Sequence, residues 1–466
     1  MLVLAKVSNE RAVIIGDVAN LRRELGLGSA IAAVVGESIA IGIFMTPAGM
    51  AKALGSPFWL LFVWTLMAAM ALSGALCFGE LATRFPEDGG LYVYLREAYG
   101  KRIAFLYGWM CLLVMDPGIT AALAVGMATY ASYVFGWSST ITKSAAIATL
   151  LALGLINIVN LRISAGLLRV VTWLKFGILG VIVLRGLLFG LGAWRNFVPF
   201  VHQRSGSMPL FPALAVAAVA AFFSFGGWWD VSKIAGEVKN PERVLPRALV
   251  AGVLCVSAVY IFITGVFLYL VPLERVSSDQ GFVTVAGEVL FGAAGARVLS
   301  GAVVVCVLGS VAVLIMVAPR VYYAMSRDGL FFSAIAVPHP KFRTPSRAIL
   351  LQVVMASVLV GFGSFNQIIS YFIFAAVAFL GLTVSTIFRF RRRGSDTATY
   401  VGAAGYPYTP IFFIVLVVVL LGLIVLHNPW QALIGVAVVA AGLPVYALVD
   451  RSHGVPAIRG EVYIKE

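Results

Sequence analysis

Charge is what this chain has least of. Only 12% of its 466 residues are Asp, Glu, Lys or Arg, against about 25% in soluble domains. Some 61% are hydrophobic, with a mean hydropathy of +0.99. That balance excludes a large soluble protein. Acidic residues are scarcer than basic ones, 20 against 34, for a net charge of +14. In a soluble protein this excess would point to nucleic acid; in a chain this apolar it marks the loops on one face of a membrane, and no nucleic-acid partner is expected. Cysteine is rare too. Cys77, Cys111, Cys255 and Cys306 all lie in apolar segments, with no CxxC spacing and no Cys/His cluster. A disulfide framework and a metal site are therefore not expected, and the thiols read as small buried hydrophobes. The four histidines, His202, His339, His427 and His453, fall at segment edges or in loops. That leaves no nucleophile–base or metal-ligand set for an intramembrane enzyme. Met1 to Leu25 is mixed and charged, without the clean apolar stretch of a cleaved signal peptide. No polar segment exceeds about 20 residues, too short for a separate soluble core.

What the chain has in quantity is long apolar runs. A bilayer core about 30 Å thick needs about 20 apolar residues at 1.5 Å each. Twelve runs meet this need: 26–53, 56–83, 102–134, 142–160, 167–190, 209–236, 245–272, 297–325, 346–363, 366–390, 409–427 and 430–449. Segment 87–101 is too short and polar to span and is expected to be an interfacial helix. Segment 281–294 is expected to be a short surface helix. With an even number of spans both termini share one side. Placing them in the cytoplasm puts 26 of the 34 basic residues inside and 7 outside, with Lys175 within a span. The positive-inside rule then makes the termini cytoplasmic.

Two runs are interrupted. Gly36-Glu37-Ser38-Ile39-Ala40-Ile41-Gly42-Ile43-Phe44 lies in the middle of the first span, and Phe222-Phe223-Ser224-Phe225-Gly226-Gly227-Trp228-Trp229-Asp230 lies in the sixth. Broken backbone at membrane depth is tolerated only where it lines a cavity or meets a ligand. Such breaks in corresponding positions of two halves point to the binding site of a secondary transporter. Spans 1–5 and 6–10 each begin with one, which suggests an inverted repeat. The chain then divides into an N-terminal segment 1–25, a first five-helix repeat 26–190, a second 209–393, two appended helices 409–450 and a tail 451–466.

These motifs resemble the amino acid–polyamine–organocation transporters. The first-span signature of that family, roughly G-x-x-I-G-S-G-I-F, is matched at 36–44 and followed by Thr46-Pro47. The exit of span 6, Gly236-Glu237-Val238-Lys239-Asn240-Pro241-Glu242-Arg243, and the later Pro319-Arg320-Val321-Tyr322-Tyr323-Ala324-Met325-Ser326-Arg327-Asp328-Gly329 also match. So does Gly405-Tyr406-Pro407-Tyr408-Thr409-Pro410. The Gly-Gly-Trp of span 6 leans toward L-type-like bacterial permeases. The resemblance implies an all-α membrane protein with the LeuT-type 5+5 inverted repeat, broken helices 1 and 6 and two appended helices. It implies a sodium-independent amino acid transporter working by alternating access, as exchanger or proton symporter. A cationic amino acid or polyamine antiporter is the alternative, and a non-transporting sensor a more distant one. No cofactor is implied. No disulfide-linked subunit is expected either, because residues 135–143 lack the outer-loop cysteine that eukaryotic L-type members use. One departure is that Ala40 and Ile41 replace the signature's Gly and Ser.

In such a site the free amides of Ile41, Gly42 and Ile43 would take a substrate carboxylate at a half-helix N-terminus. The carbonyls of Ile39, Phe222 and Phe225 would take its ammonium, with Ala40 and Ser224 among the lining residues. Trp228, at the Gly-Gly-Trp position, would cap the substrate. Lys175 lies roughly 12 Å into span 5 at 1.5 Å per residue, too deep to reach the surface cheaply. The resemblance implies that such a lysine, here in Thr172-Trp173-Leu174-Lys175, replaces a structural sodium ion. Its ammonium would meet the carbonyls of span 1 and a span 8 hydroxyl, Ser310. Whether it is a fixed cation or a proton carrier stays open. Glu37 and Asp116 are mid-membrane carboxyls that suit proton coupling or recognition of a cationic side chain; the plainer readings are a protonated core carboxyl or an ion pair with Lys175.

Overall fold

A computed structural model describes residues 23–159, 161–276, 281–342, 344–362, 365–393 and 403–452. The N-terminal segment is thus described only from Arg23 and the C-terminal tail only to Ser452, so the remainder of both expectations lies outside the described residues. Among the described residues the regular structure is helical, apart from one isolated bridge between Leu25 and Val238. The chain runs through α1 (Leu27–Ser38), α2 (Gly42–Leu54), α3 (Pro57–Arg84), α4 (Leu91–Tyr99), α5 (Lys101–Met110), α6 (Asp116–Phe135), α7 (Ser139–Val159), α8 (Leu161–Leu188) and α9 (Leu210–Phe225). It continues through α10 (Pro241–Leu270), α11 (Gly281–Phe291), α12 (Gly295–Val317), α13 (Pro319–Arg327), α14 (Ser346–Phe362), α15 (Phe365–Arg392), α16 (Tyr408–His427) and α17 (Pro429–Ser452).

Eleven helical stretches among the described residues are long and apolar enough to cross a membrane. Ser346–Gly361, where the sequence places a twelfth span, is apolar but shorter. Local chemistry sets the boundaries. α2 stops at Gly55, whose φ of +57° makes the left-handed cap that glycine adopts without strain. Ser56 then caps α3 by accepting from the Trp59 amide at 3.4 Å, and Pro57 fills the first helical position, where no N–H is needed. The third span changes to a π turn at Cys111–Met115 before Asp116-Pro117. Pro117 cannot donate to the preceding turn, so a widened turn is the relaxed solution there.

Both expected surface helices are packed instead. In α4, Leu91 to Leu95 are all buried, because α5 and α15 cover it. In α11, Phe282, Val283, Ala286 and Leu290 are buried against α12 and neighbouring helices. The interior of the molecule is built by α1 and α2 against α10 and α9, by α3 against α10, and by α6 against α12. α16 and α17 lie outside this group, α16 on α3 and α15, α17 on α5 and α15.

Candidate substrate site

The first span is open at Ile39–Ile41. Ile39 leaves the helix with φ −76° and ψ 76°, and α2 restarts at Gly42. The span 6 segment opens at Gly226–Trp229, with Gly227 at φ +100°, and continues as a 3-10 helix over Asp230–Glu237. Both breaks fall inside the interrupted runs 36–44 and 222–230. They face each other. A Cβ on Gly42 would stand 2.7 Å from the Ser224 Cα, and one on Gly227 would stand 2.6 Å from the Glu37 Cγ, so neither position has room for a side chain. Ser224 Oγ lies 2.7 Å from Thr46 Oγ1, which in turn donates to the Gly42 carbonyl at 2.8 Å. The Tyr260 hydroxyl from α10 stands between two carbonyls, those of Ser38 and Ser224, one from each break. Tyr260 is missing from the sequence-based site; its span also carries the hydroxyls of Ser257, Thr264 and Tyr269, so nothing in the sequence singles it out.

A cavity lies between the breaks. Glu37, Ser38, Ala40 and Gly42 come from span 1; Phe222, Phe223, Ser224, Gly226, Gly227 and Trp229 come from span 6. Met115, Ile119, Leu123, Ile373 and Ala376 complete an apolar wall. Gly42 and Ile43 open α2 with amides the helix cannot satisfy, and Phe222 and Phe225 close α9 with carbonyls in the same position. A second cavity shares Phe223 and Ile373 with the first and runs past Thr46 and Val219 to His427 and Asn428.

Three expectations change at this site. Trp228 is not in the cavity wall. It packs edge-on against Phe78, ring centroids 5.2 Å apart, and against Phe413, while Trp229 lines the cavity. The left-handed turn at Gly227 rotates the two indoles by one position. Asp116 also lies behind the wall rather than in it. Its partner is Lys233, with Nζ 2.9 Å from Oδ1, and not Lys175. The Tyr322 hydroxyl lies 3.4 Å from the other Asp116 oxygen. Lys233, counted among the inner loop charges from sequence, is fully buried. Its Nζ is also 2.9 Å from Asp230 Oδ1, near enough for an ion pair but not aligned for a hydrogen bond.

Lys175 is buried and donates to the carbonyls of Gly36 at 2.6 Å and Ile39 at 2.8 Å and to Ser310 Oγ at 2.7 Å. One ammonium thereby ties α1, α8 and α12 together at the edge of the first break. Ser310 donates in turn to the Gly36 carbonyl at 2.8 Å.

The end of the molecule away from His427 is closed by polar contacts. Arg320 pairs with Glu237 at 2.8 Å, both buried, and also donates to the Met316 carbonyl. The Gly236 amide donates to Asp88 Oδ1 at 2.9 Å, and the Gly89 amide to the Lys233 carbonyl at 2.9 Å. The segment before α1 is stitched to the same place, since Lys239 N donates to the Leu25 carbonyl at 2.8 Å. Burial, and next the Glu237 carboxylate, push the Asp88 carboxyl up to about 7, against the pull of Arg320.

Two broken helices facing each other across an apolar cavity, a buried lysine bonded to the carbonyls of the first break and one end closed by polar contacts define the class of secondary transporters. The sequence comparisons place the chain within it: residues 25–444 match the amino acid permease family, to which the chain belongs. The serine/threonine exchanger SteT of Bacillus subtilis (strain 168) is 30% identical over 432 residues, 91% of this chain and 96% of that protein. The b(0,+)-type amino acid transporter 1 of Mus musculus is 29% identical over 92% of this chain and 88% of its own. The large neutral amino acids transporter small subunit 2 of Homo sapiens is 27% identical over 92% and 80%. These relatives are transporters, not enzymes.

Proposed function

We propose that the protein is a sodium-independent transporter of neutral L-amino acids that works by alternating access. The observation that carries this reading is the pair of facing helix breaks at 39–41 and 226–229 around one cavity. Amides at the start of α2 suit an α-carboxylate, and carbonyls at the end of α9 suit an α-ammonium. The walls offered to the side chain are Met115, Ile119, Leu123, Phe223, Trp229 and Ile373, which favour an apolar one. Lys175 supplies a fixed positive charge beside the first break, which removes the need for a sodium ion there. The names of the relatives, with their serine/threonine and large neutral substrates, support the same class.

In this reading the chain has twelve spans in a LeuT-type arrangement, with α14 as the ninth. Repeats 26–190 and 209–393 are followed by the appended pair 409–450. Both termini are cytoplasmic, on the strength of the basic-residue count. The end sealed by Glu237 and Arg320 is then cytoplasmic, and the cavity faces outward past His427. The test is uptake of radiolabelled L-leucine into proteoliposomes holding the full chain. Saturable uptake, stimulated by internal leucine and unchanged when choline replaces sodium, is expected. Absence of saturable uptake or binding for every one of the twenty amino acids, or a requirement for sodium, would overturn it.

A further inference from the structure

Four buried ionisable side chains run from the cavity wall into the interior behind it. Glu37 lines the cavity from the edge of the first break and rests on Gly227. Asp230 is tied to the same glycine, its amide donating to the Gly227 carbonyl at 3.0 Å. Asp230 is 2.9 Å from Lys233, and Lys233 is 2.9 Å from Asp116. All four are 5% exposed or less. The groups facing them complete the set. Span 3 contributes Tyr107 and Cys111, α13 contributes Tyr322, and α8 contributes Lys175 on the far side of Glu37. Lys175 is held by the carbonyls of Gly36 and Ile39 and by Ser310, and makes no ion pair with Glu37. Arg320, also buried, is paired with Glu237.

The charges do not balance. Three carboxyls share one ammonium, so full ionisation would give the cluster two net negative charges, with only the Lys175 ammonium beyond Glu37 to set against them. Buried charge at that depth is costly unless paired, and carboxyls crowded into one buried cluster do not all ionise readily. Lys233 is claimed by Asp116 and Asp230 together. Glu37, which has Asp230 for a neighbour and the cavity for an outlet, is the carboxyl left to carry a proton.

We propose that Glu37 and Asp230 share a proton that moves with the transported substrate, so that the cluster Glu37–Asp230–Lys233–Asp116 is the proton-coupling site. This rests on the amino acid transport reading and selects proton symport within it. With the cavity open, hydronium in the cavity gives up a proton, which forms the O–H bond of the pair, leaves a water molecule and makes the pair less negative by one charge. After reorientation that O–H bond breaks, the proton leaves through the cavity to water on the other side, and the pair regains its negative charge. Asp116 and Lys233 hold Asp230 in place and do not themselves exchange protons with the cavity.

The experiment follows lumenal pH with trapped pyranine while proteoliposomes take up radiolabelled L-leucine. Leucine counterflow at equal pH, run in parallel, tests transport itself, so its failure is separable from a failure of coupling. The wild type is expected to carry about one proton per leucine and to accumulate leucine several-fold more when the outside is acidified from pH 7.5 to 5.5. Glu37→Gln and Asp230→Asn are expected to lower the proton-to-leucine ratio to near zero, and Lys175→Met to leave that ratio unchanged among the molecules that transport. If a variant does not transport, proton uptake on leucine binding to the purified wild type, measured by calorimetry in two buffers of different ionisation enthalpy, decides the matter. A wild-type ratio of zero with no binding-linked proton would overturn the proposal, as would an unchanged ratio in both carboxyl variants. Loss of the ratio only in Lys175→Met would move the proton to Lys175. A preference for L-lysine that Glu37→Gln abolishes without any proton movement would make Glu37 a reader of cationic side chains instead.

Discussion

Lys175 shows how much one side chain carries in this molecule. Its ammonium is the shared donor for two carbonyls at the first break and a hydroxyl on α12. A methionine at this position would fill the space and remove the donor. Each buried acceptor left without a partner costs about 1–3 kcal/mol, and a tenfold effect needs only about 1.4 kcal/mol. Lys175→Met is therefore expected to lower leucine transport at least tenfold and to reduce thermal stability in detergent, both measurable on one preparation. Transport within twofold of wild type would show that the ammonium is dispensable. Lys233 obeys a different balance. Removing it by Lys233→Met strands Asp116 and Asp230, and breaking a buried pair costs about 3–5 kcal/mol. Lys233→Met alone is expected to abolish folding in the membrane, while Lys233→Met with Asp116→Asn restores part of it. Size-exclusion profiles of the single and double variants check this coupling.

Elements account for what the sequence did and did not disclose. The spans and both breaks are legible because apolar runs and mid-span glycines have few other physical outcomes. Lys175 is legible for a related reason, a charge too deep to reach water. Lys233 is not, because it follows Trp-Trp-Asp at what looks like the edge of a span. The structure continues that segment as a 3-10 helix, in which residues three apart eclipse, so Asp230 and Lys233 stack and both point inward. The turn at Gly227 likewise decides which tryptophan meets the cavity, and no periodicity announces a single left-handed residue. The close approach of α2 to α9 offers a direct test. Gly42→Ala places a Cβ 2.7 Å from backbone at Ser224, whereas Gly28 near the start of α1 has open space. Overpacking of this kind costs about 1–3 kcal/mol. Gly42→Ala is expected to weaken leucine binding roughly 10- to 100-fold, and Gly28→Ala to leave it unchanged within twofold, as read by scintillation proximity binding.

At the scale of the whole molecule, alternating access requires the sealed end to open, and that end is held by few groups. Glu237 and Arg320 pair across it, Asp88 receives the Gly236 amide, and the Leu25 strand residue clips the exit of span 6. Asp88 is the member that titrates in the physiological range, because burial and the adjacent Glu237 hold its carboxyl at about 7 in this closed arrangement. Once the end opens and Asp88 meets water, its affinity for a proton falls toward the ordinary carboxylate value of about 3.9. The closed form therefore binds the proton more tightly. Below about 4 both forms are protonated and the gate is indifferent to pH. The closed form's advantage is full there; it shrinks progressively as pH rises from about 4 and is gone once pH has passed about 7. Raising the pH on this side from 6 to 8 is thus expected to shift the population toward opening at this end. A single cysteine introduced at Ala235, which is fully buried here, should react faster with a membrane-impermeant maleimide applied from that side at pH 8 than at pH 6, after correction for thiolate ionisation with a free-cysteine standard. The difference should vanish in Asp88→Asn, which keeps the shape of the side chain and cannot ionise. A corrected labelling rate that is the same at both pH values in the parent, or a pH effect that survives Asp88→Asn, would remove Asp88 from the gate.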